Sequence, residues 1–257
     1  MGNFKTPGPQ CRVMNWFARP NDPGTLALCR HTAPAHFGID FGIPNLRIGK
    51  NKATKKRVSN RGVPPVSFLD ELVAWAKAAP GEIFAPNTNS GDVYSAIAPV
   101  LGPWKGLQHR KAVMLEVMRV LAGFESSWNW NEGRDVKNTP TTSPLEEVEA
   151  GAWQVSANSL AWGQDLRDLV QREIGAHDPQ NANQELKGPV PKNLCNKAFD
   201  PAAFQEQMKQ NHWLAMEYIA RLLRHTTQAN GPVKRHEIDQ YLHKDAVAEF
   251  ELLLRIR

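Results

Sequence analysis

The stretch LQHRKAVMLEVMRVLAGF, residues 107–124, predicts the strongest helix of the chain. Its second half carries too many apolar residues for one narrow face, and they are Val113, Met114, Leu115, Val117, Met118, Val120, Leu121 and Phe124. A helix on a protein surface has a single apolar stripe, whereas a helix that is apolar on several sides is buried. We therefore expect the rest of the protein to surround the C-terminal half of this helix.

Apolar residues at helical spacing predict further helices on both sides of this one, in the segments 67–79, 92–101, 159–174, 200–225 and 236–255. The helix expected at 159–174 places Trp162 on its apolar face with Leu166 and Leu169. Strands do not alternate with helices as a parallel sheet would require, and the sequence has no internal repeat. The sequence therefore predicts a mainly α fold.

Residues 1–66 differ from the rest of the chain, because they are rich in Pro, Gly and basic residues and show no helical period. Pro64-Pro65 closes this segment, since consecutive prolines interrupt regular structure. We expect two regions: an irregular basic segment of unknown role at 1–66 and a helical domain at 67–257.

The composition is that of a folded protein, with 257 residues of which 41% are hydrophobic and 22% are charged. Eight Trp and ten Phe supply enough apolar surface for a core, which excludes an intrinsically disordered chain. No run approaches the roughly 18 consecutive apolar residues of a membrane span. The start MGNFKTPGPQ lacks the apolar region of a secretory signal peptide, so we expect no such peptide.

Positive charge is concentrated near the N-terminus. The net charge is +5, but residues 1–66 hold eleven Lys or Arg against two Asp, a net +9, which leaves −4 for the remainder. The densest run, 47–61, holds seven basic residues and no acid. A run of this kind binds nucleic acid, an anionic membrane surface or an anionic wall polymer, or it is a solvated basic loop.

Cysteine and histidine residues give little sign of a redox or metal site. Cys11, Cys29 and Cys195 form no CxxC motif, and the first two either form a disulfide or remain thiols. His31 and His36 lack a third ligand grouped with them. The sequence also lacks the P-loop, GxGxxG, HExxH and GxSxG motifs. We expect neither a metal nor a cofactor.

The polar segment that follows the strongest helix carries the candidate chemistry. It reads FESSWNWNEGRD at 124–135 and, further on, EAGAWQVS at 149–156. Glu125 ends the buried helix, where desolvation and the negative end of the helix dipole both raise the pKa of a carboxyl. A carboxylic acid that stays protonated near neutral pH can protonate the leaving oxygen of a glycosidic bond. The alternative is an exposed glutamate at an ordinary helix end.

Three sequence elements resemble, in order, those of the lysozyme-like superfamily, in particular goose-type lysozymes and soluble lytic transglycosylases. Glu125-Ser126 is similar to the catalytic Glu-Ser that ends a long buried helix in that family. The segment GAWQV at 151–155 is similar to a Gly-Leu-Met-Gln-like segment that lines the cleft. The segment NHWLAMEYI at 211–219 keeps the spacing of the family's Asn-Ile-x-x-Gly-x-x-Tyr-Leu helix. The resemblance covers about residues 105–225 and implies a lysozyme-like helical fold with Glu125 as the general acid.

The chain departs from the family where a second carboxylate is expected. The stretch from Glu125 to Gly151 is longer than in typical relatives, Trp153 replaces the usual Met, and Ser156 stands where goose-type enzymes carry Asp. A hydrolase needs a second carboxylate to activate water or to act as nucleophile. The resemblance implies that a lytic transglycosylase needs neither, because the muramoyl 6-hydroxyl attacks internally and one Glu suffices.

The loop between the two motifs offers five acids, Glu132, Asp135, Glu146, Glu147 and Glu149. We expect the second catalytic carboxylate to be Asp135, in a short turn after Gly-Arg, or Glu149, which directly precedes the cleft segment. Glu132 is the third candidate and is otherwise expected to contact substrate. Each acid is alternatively a solvated loop residue, but their number favours hydrolysis over transglycosylation.

Further substrate contacts are expected from aromatic and amide side chains. Trp128, Trp130 and Trp153 are expected to offer apolar platforms for sugar rings. Gln154 is expected to hydrogen-bond substrate or the surroundings of the acid, with a buried structural amide as the alternative. Tyr218 is expected to donate to the catalytic carboxyl or to a sugar acetamido group, with a core aromatic at helical spacing as the alternative.

The resemblance implies a muramidase that cleaves the β-1,4 bond between N-acetylmuramic acid and N-acetylglucosamine in peptidoglycan strands, without a cofactor. We expect action in the periplasm or on the cell wall, as a phage endolysin, as a delivered antibacterial effector with an immunity protein, or as a domain of a longer chain. The alternatives are a lytic transglycosylase, a chitinase- or chitosanase-like hydrolase, or a non-enzymatic wall- or nucleic-acid-binding module driven by 47–61. Among these partners we favour peptidoglycan over nucleic acid.

Overall fold

The computed structural model describes residues 53–134, 143–175, 201–225, 227 and 230–256. These residues belong to one compact unit, Pro44–Arg257. The described part is mainly helical, which confirms the predicted class, and its one element of β pairing is an isolated bridge between Ala150 and Val155. Most of the segment 1–66 lies outside the described residues, as do Cys11 and Cys29, so the predicted division at residue 66 stays a prediction.

Eight α-helices occur in the described residues: α1 Val66–Ala78, α2 Val93–Leu101, α3 Leu107–Ser126, α4 Gln164–Val170, α5 Pro201–Gln210, α6 His212–His225, α7 Gly231–Lys234 and α8 Lys244–Arg255. A short 3₁₀ turn, Ser59–Arg61, precedes α1, and further 3₁₀ turns lie between the helices at Gly81–Phe84, Leu145–Glu147, Ala157–Trp162 and Asp239–Tyr241. None of the described helices is both long enough and apolar enough to cross a bilayer.

Helix α3 is the centre of the described structure. It packs against α1, α6 and α8, and every residue from Ala112 to Gly123 is buried. This confirms the prediction that the second half of the helix is surrounded on most sides. The buried stretch also contains the charged pair Glu116 and Arg119, which the apolar pattern of the sequence did not single out.

The segment predicted as one helix at 159–174 is three pieces. A 3₁₀ turn at Ala157–Trp162 is followed by α4 and then by a π turn at Gln171–Gly175. The break comes at Gly163, whose backbone is extended (φ −158°, ψ 143°). Because the turn before this break does not continue the register of α4, Trp162 is 48% exposed rather than buried as predicted.

The two C-terminal predicted helices are also shorter than expected. The segment 200–225 is divided into α5 and α6 at Asn211, whose side-chain Oδ1 accepts a hydrogen bond from the Leu214 N–H at 3.1 Å and so caps the start of α6. The segment 236–255 is helical in α8 only from Lys244, because His236 has a positive φ of 57° and a 3₁₀ turn follows it.

A buried ion pair fixes the middle of α3 to both ends of the described chain. Two nitrogens of Arg119 donate to the two carboxylate oxygens of Glu116, each at 2.7 Å, and both side chains are fully buried. Arg119 also donates to the Lys56 carbonyl at 3.1 Å and to the Tyr241 carbonyl at 3.2 Å. The Glu116 carboxylate accepts the His243 N–H at 3.0 Å. The two charges are therefore compensated by each other and by backbone groups.

The residues before α1 pack against α3 and α8. The Thr54 N–H donates to the buried Glu249 carboxylate at 2.8 Å, and Lys56 forms an ion pair with Asp245 at 2.7 Å. Val58 is fully buried and lies over Gly123, where an added Cβ would come within 3.1 Å of the Val58 Cβ. The segment 53–58 is thus held along the same helix that ends at Glu125.

Replacing Arg119 with Met should lower the free energy of unfolding, measured by urea denaturation, by about 3–5 kcal/mol, because Glu116 would remain buried without its cation. The double variant Glu116→Leu/Arg119→Met should recover most of this loss. Arg255→Met is the control, since it removes an exposed partner of Glu251 and should cost less than about 0.5 kcal/mol. If Arg119→Met lowers the free energy of unfolding no more than the control does, the ion pair does not stabilise the fold as expected.

Candidate active site

Glu125 lies in the last turn of α3, where the chain bends sharply. Ser127 and Trp128 both have positive φ values, 56° and 62°. The Ser127 N–H donates to the Gly123 carbonyl at 3.2 Å and the Trp128 N–H to the Ala122 carbonyl at 3.1 Å. These bonds satisfy carbonyls at the helix end, as left-handed caps do. Two successive non-glycine residues with positive φ are uncommon and mark a tightly constrained backbone beside Glu125.

The side chain of Ser126 connects the two motifs. Its buried hydroxyl donates to the Ala152 carbonyl at 2.8 Å and accepts the Asn129 N–H at 3.0 Å. Ala152 is the second residue of the GAWQV segment, so one hydroxyl fixes that segment to the end of α3. The structure therefore brings together Glu125-Ser126 and 151–155, which are separated by 25 residues or more in the sequence.

The GAWQV segment is part of a tight turn closed by two hydrogen bonds. Ala150 and Val155 exchange backbone N–H to carbonyl bonds of 3.0 and 3.1 Å. Gly151 donates to the Glu132 carbonyl at 2.9 Å, and Gln154, with a positive φ of 45°, donates from its side chain to the Gly151 carbonyl at 3.0 Å. The amide of Gln154, which is half-buried, thus holds the turn.

Glycine at position 151 is required by its surroundings. Its φ is +76°, and a Cβ there would come within 2.5 Å of the Met208 carbonyl oxygen of α5. This contact involves backbone on both sides, so it cannot be relieved by moving a flexible side chain. Because Gly151 has no side chain, the backbone of the turn packs directly on the backbone of α5.

The carboxyl of Glu125 is half-buried and has a raised pKa. Desolvation is the largest cause, and the nearby negative charge of Glu149 is the second; together they raise the pKa from 4.5 to about 7. The positive charges of Arg235 and Arg61 lower the pKa, and Glu237 raises it slightly. Desolvation is one of the two causes predicted from the sequence, beside the helix dipole. Glu125 is consequently protonated in a large fraction of molecules near neutral pH.

Of the loop acids that the structure describes, Glu149 is the one whose charge acts on Glu125. It is half-buried and directly precedes the Ala150–Val155 turn. Glu132 accepts a hydrogen bond from the Asn129 side chain at 2.9 Å, and its carbonyl binds Gly151, so it supports the turn. Glu147 is exposed at the end of the 3₁₀ turn Leu145–Glu147. The other leading candidate for the second carboxylate, Asp135, lies outside the described residues.

Two of the three tryptophans expected as sugar platforms are core residues. Trp128 is 4% exposed and Trp153 is 2% exposed. Their indole N–H groups donate to the Arg119 and Met118 carbonyls at 2.8 and 2.9 Å. The expectation for these two residues is corrected, because neither ring presents a face to solvent. Trp130 is half-buried and stacks on the His212 ring at 3.9 Å, so one of its faces is covered.

Tyr218 is fully buried in α6. Its hydroxyl is 2.7 Å from the Ser159 hydroxyl, and its ring lies edge-on to Phe204. Burial raises the pKa of the Tyr218 phenol far above its ordinary value. The structure therefore places Tyr218 as a core aromatic with a satisfied hydroxyl, which is the alternative stated above, and corrects the expectation that it reaches the catalytic carboxyl.

Sequence reasoning missed two charged residues near Glu125. Arg61 is the last residue of the basic run 47–61 and has no separate signal there, and the sequence analysis does not single out Arg235. Both act electrostatically on the Glu125 carboxyl. No local sequence signal marks them, because they lie 64 residues before and 110 residues after Glu125. Among the described residues, no group of three His, Cys, Asp or Glu side chains is arranged to hold a metal ion.

Comparisons with known proteins give no relative. No protein-family model matches the chain, and neither a curated protein nor a solved structure matches it. The lysozyme-like resemblance of the two motifs and of residues 211–219 stays a prediction. The chemistry of the site therefore has to be inferred from the geometry and charges around Glu125.

Replacing Glu125 with Gln should stabilise the protein in alkaline solution. A carboxyl whose pKa rises from 4.5 to about 7 on folding lowers stability as the pH rises through that interval, because the folded state resists ionisation. We expect little difference between variant and parent at pH ~4.5 and a more stable variant at pH ~8, by about 1–3 kcal/mol after allowing for partial exposure.

Urea denaturation at both pH values measures this difference. Glu147→Gln is the matched control, since Glu147 is exposed in the same loop region and its replacement should change stability equally at both pH values. Equal stability of Glu125→Gln and the parent at the higher pH would show that Glu125 ionises without cost.

Replacing Gly151 with Ala should destabilise the protein by about 2–4 kcal/mol, through the positive φ and the contact with the Met208 carbonyl. Gly81→Ala is the control, because a Cβ there meets only Leu107 at an ordinary 3.5 Å and should change stability by less than about 1 kcal/mol. Thermal unfolding of the two variants compares them. Similar melting temperatures would mean that α5 and the turn separate readily.

Proposed function

We propose that this chain is a peptidoglycan muramidase that hydrolyses the β-1,4 bond between N-acetylmuramic acid and N-acetylglucosamine. The observation that carries the proposal is the pair Glu125 and Glu149: a half-buried carboxyl with a pKa near 7 beside a second carboxylate. Glycoside hydrolysis requires two such groups in different protonation states. The motif resemblance around Glu125, Gly151 and Asn211 adds the substrate class.

In the proposed reaction Glu125 donates its proton to the glycosidic oxygen as the bond from that oxygen to the anomeric carbon breaks. The leaving sugar departs as an alcohol, and positive charge develops on the ring that remains. Glu149 carries the negative charge that stabilises this ring. It then removes a proton from the water that attacks the anomeric carbon, or it attacks first and is released by water. In the first route proton exchange with solvent restores both groups. In the second route the ionised Glu125 takes the proton of the attacking water, which restores Glu125, and Glu149 leaves as a carboxylate.

The second carboxylate favours hydrolysis over transglycosylation. A lytic transglycosylase of the resembled family acts with a single Glu, so it would not need Glu149 or any other loop acid close to Glu125. Like charges held near each other push two pKa values apart, and this is what a general acid and its partner require. Asp135 remains the other candidate for this partner.

The proposed place of action is the bacterial cell wall, reached through a secretion machine or during phage lysis. An antibacterial effector of this kind is paired with an immunity protein in the producing cell. Co-purification of the chain from that cell tests this setting separately from the chemistry.

Glu125→Gln should lower the rate of clearing of purified cell wall by at least about 100-fold, because the amide has no proton to donate. Glu149→Gln should also lower the rate by about 10-fold or more. Glu147→Gln, two residues before Glu149, is the matched control and should clear the wall at the parent rate. In the parent protein the rate should fall as the pH rises above about 7, since Glu125 then loses its proton.

Mass spectrometry of the released muropeptides distinguishes the reactions. Products of hydrolysis end in reducing muramic acid, whereas products of transglycosylation end in anhydro-muramic acid. Cleavage of chito-oligosaccharides in preference to cell wall would indicate a chitinase-like enzyme. A Glu125→Gln variant that clears the wall like the parent would eliminate the proposed mechanism.

A further inference from the structure

Two arginines near Glu125 have no role in the proposed reaction. Arg61 and Arg235 both lower the pKa of Glu125, which reduces the protonated fraction that a general acid needs. Their presence therefore works against catalysis unless they serve another purpose. Arg235 forms an ion pair with Glu237, with Nε–O and Nη2–O distances of 2.7 and 3.0 Å. Arg235 therefore already has a carboxylate partner within the protein, in an exposed ion pair.

Arg61 lacks such a partner. It is exposed and forms no ion pair with any other residue of the described ranges, including Glu125. An arginine with five N–H donors and no carboxylate partner is well suited to bind a carboxylate supplied by a ligand. Of the two described arginines that lower the pKa of Glu125, Arg61 is therefore the one without a carboxylate partner among the described residues.

The backbone holds Arg61 beside the end of α3. The Arg61 N–H donates to the Val58 carbonyl at 3.0 Å, and the Val58 N–H donates to the Gly62 carbonyl at 2.9 Å, which closes a turn around Arg61. Val58 is fully buried against Gly123, two residues before Glu125. The turn is thus fixed to the same helix end as Glu125.

The chain before this turn is fixed as well. Lys56 accepts a hydrogen bond from Arg119 through its carbonyl and pairs with Asp245 through its ammonium. Thr54 donates to Glu249. These contacts hold the backbone on one side of the turn, and Val58 holds it at the turn itself, so the backbone that carries Arg61 is fixed beside the end of α3. From this position the charge of Arg61 acts on Glu125.

We propose that Arg61 binds a carboxylate of the substrate next to the bond that is cleaved, and so makes the site selective for anionic peptidoglycan strands over neutral chitin-type strands. This inference rests on the function proposed above. Peptidoglycan carries carboxylates on the lactyl ether of muramic acid or, where a peptide stem is attached, on the stem. Chitin strands have the same β-1,4 linkage and acetamido groups but no carboxylate. The Arg61 charge distinguishes these two polymers.

The test compares Arg61→Gln with Arg57→Gln. Arg57 is the matched control, because it is exposed in the same segment, carries the same charge and is not among the charges that act on Glu125. Three soluble substrates are used: glycan strands with peptide stems, strands freed of stems by an amidase, and chito-oligosaccharides of equal length. KM and kcat are measured for each at constant ionic strength.

For Arg61→Gln we expect KM to rise about 3- to 10-fold on at least one of the two anionic strands, as for loss of a charge-assisted hydrogen bond, and to stay constant on chito-oligosaccharides. A rise limited to stem-free strands identifies the lactyl carboxylate, and one limited to stem-bearing strands identifies the stem. The pH above which activity falls should move upward in Arg61→Gln, because a charge that stabilises ionised Glu125 is gone. Arg57→Gln should change neither property.

Two results would overturn the inference. In the first, Arg61→Gln and Arg57→Gln have equal KM values on both anionic strands. In the second, the KM of Arg61→Gln rises as much on chito-oligosaccharides as on the anionic strands. If this occurs while Glu125→Gln is inactive on cell wall, the proposed muramidase function stands and only the role of Arg61 is lost. A parent protein that does not cleave the wall, or a fully active Glu125→Gln variant, would remove both.

Discussion

The candidate site depends on the burial of helix α3. This burial in turn depends on an ion pair, because the helix carries two buried charged side chains that compensate each other. Glu116 and Arg119 are both fully buried, and two hydrogen bonds of 2.7 Å join them. The pair also forms hydrogen bonds with backbone atoms of Lys56, Tyr241 and His243. A single internal pair therefore fixes the start of the described chain and the residues before α8 to one helix. The same two chain regions carry Arg61 and Arg235, whose charges act on Glu125.

At the end of α3, features that lower the stability of the folded state lie where we propose that the reaction takes place. Desolvation and Glu149 raise the pKa of Glu125 to about 7, and a carboxyl of this kind destabilises the folded state when it ionises. The adjacent backbone has positive φ values at Ser127, Trp128 and Gln154. Strained backbone and a carboxyl with a perturbed pKa occur together most often at functional sites. The buried tryptophans and Ser126 hold this arrangement in place through hydrogen bonds to backbone carbonyls.

Prediction from the sequence succeeded where a local pattern was sufficient. The mainly α class, the extent of α2 and α3, and the deep burial of α3 all follow from apolar spacing and from helix-terminating residues. It was less successful where a break depends on one residue: Asn211 divides a predicted helix by capping the next one, and Gly163 interrupts another. It was wrong for Trp128 and Trp153, because composition does not tell whether an aromatic ring near a site faces solvent or fills the core beneath it.

The sequence by itself determined that Glu125 ends a buried helix, and burial alone is enough to raise the pKa of a carboxyl. Only the tertiary structure decided which charges surround it. Glu149, Arg61, Arg235 and Glu237 come from three separate regions of the chain. Electrostatic interactions depend on distance in space, and that distance is set by the packing of Val58 on Gly123 and by the Ser126 bond to Ala152. Neither contact has a counterpart in local sequence spacing.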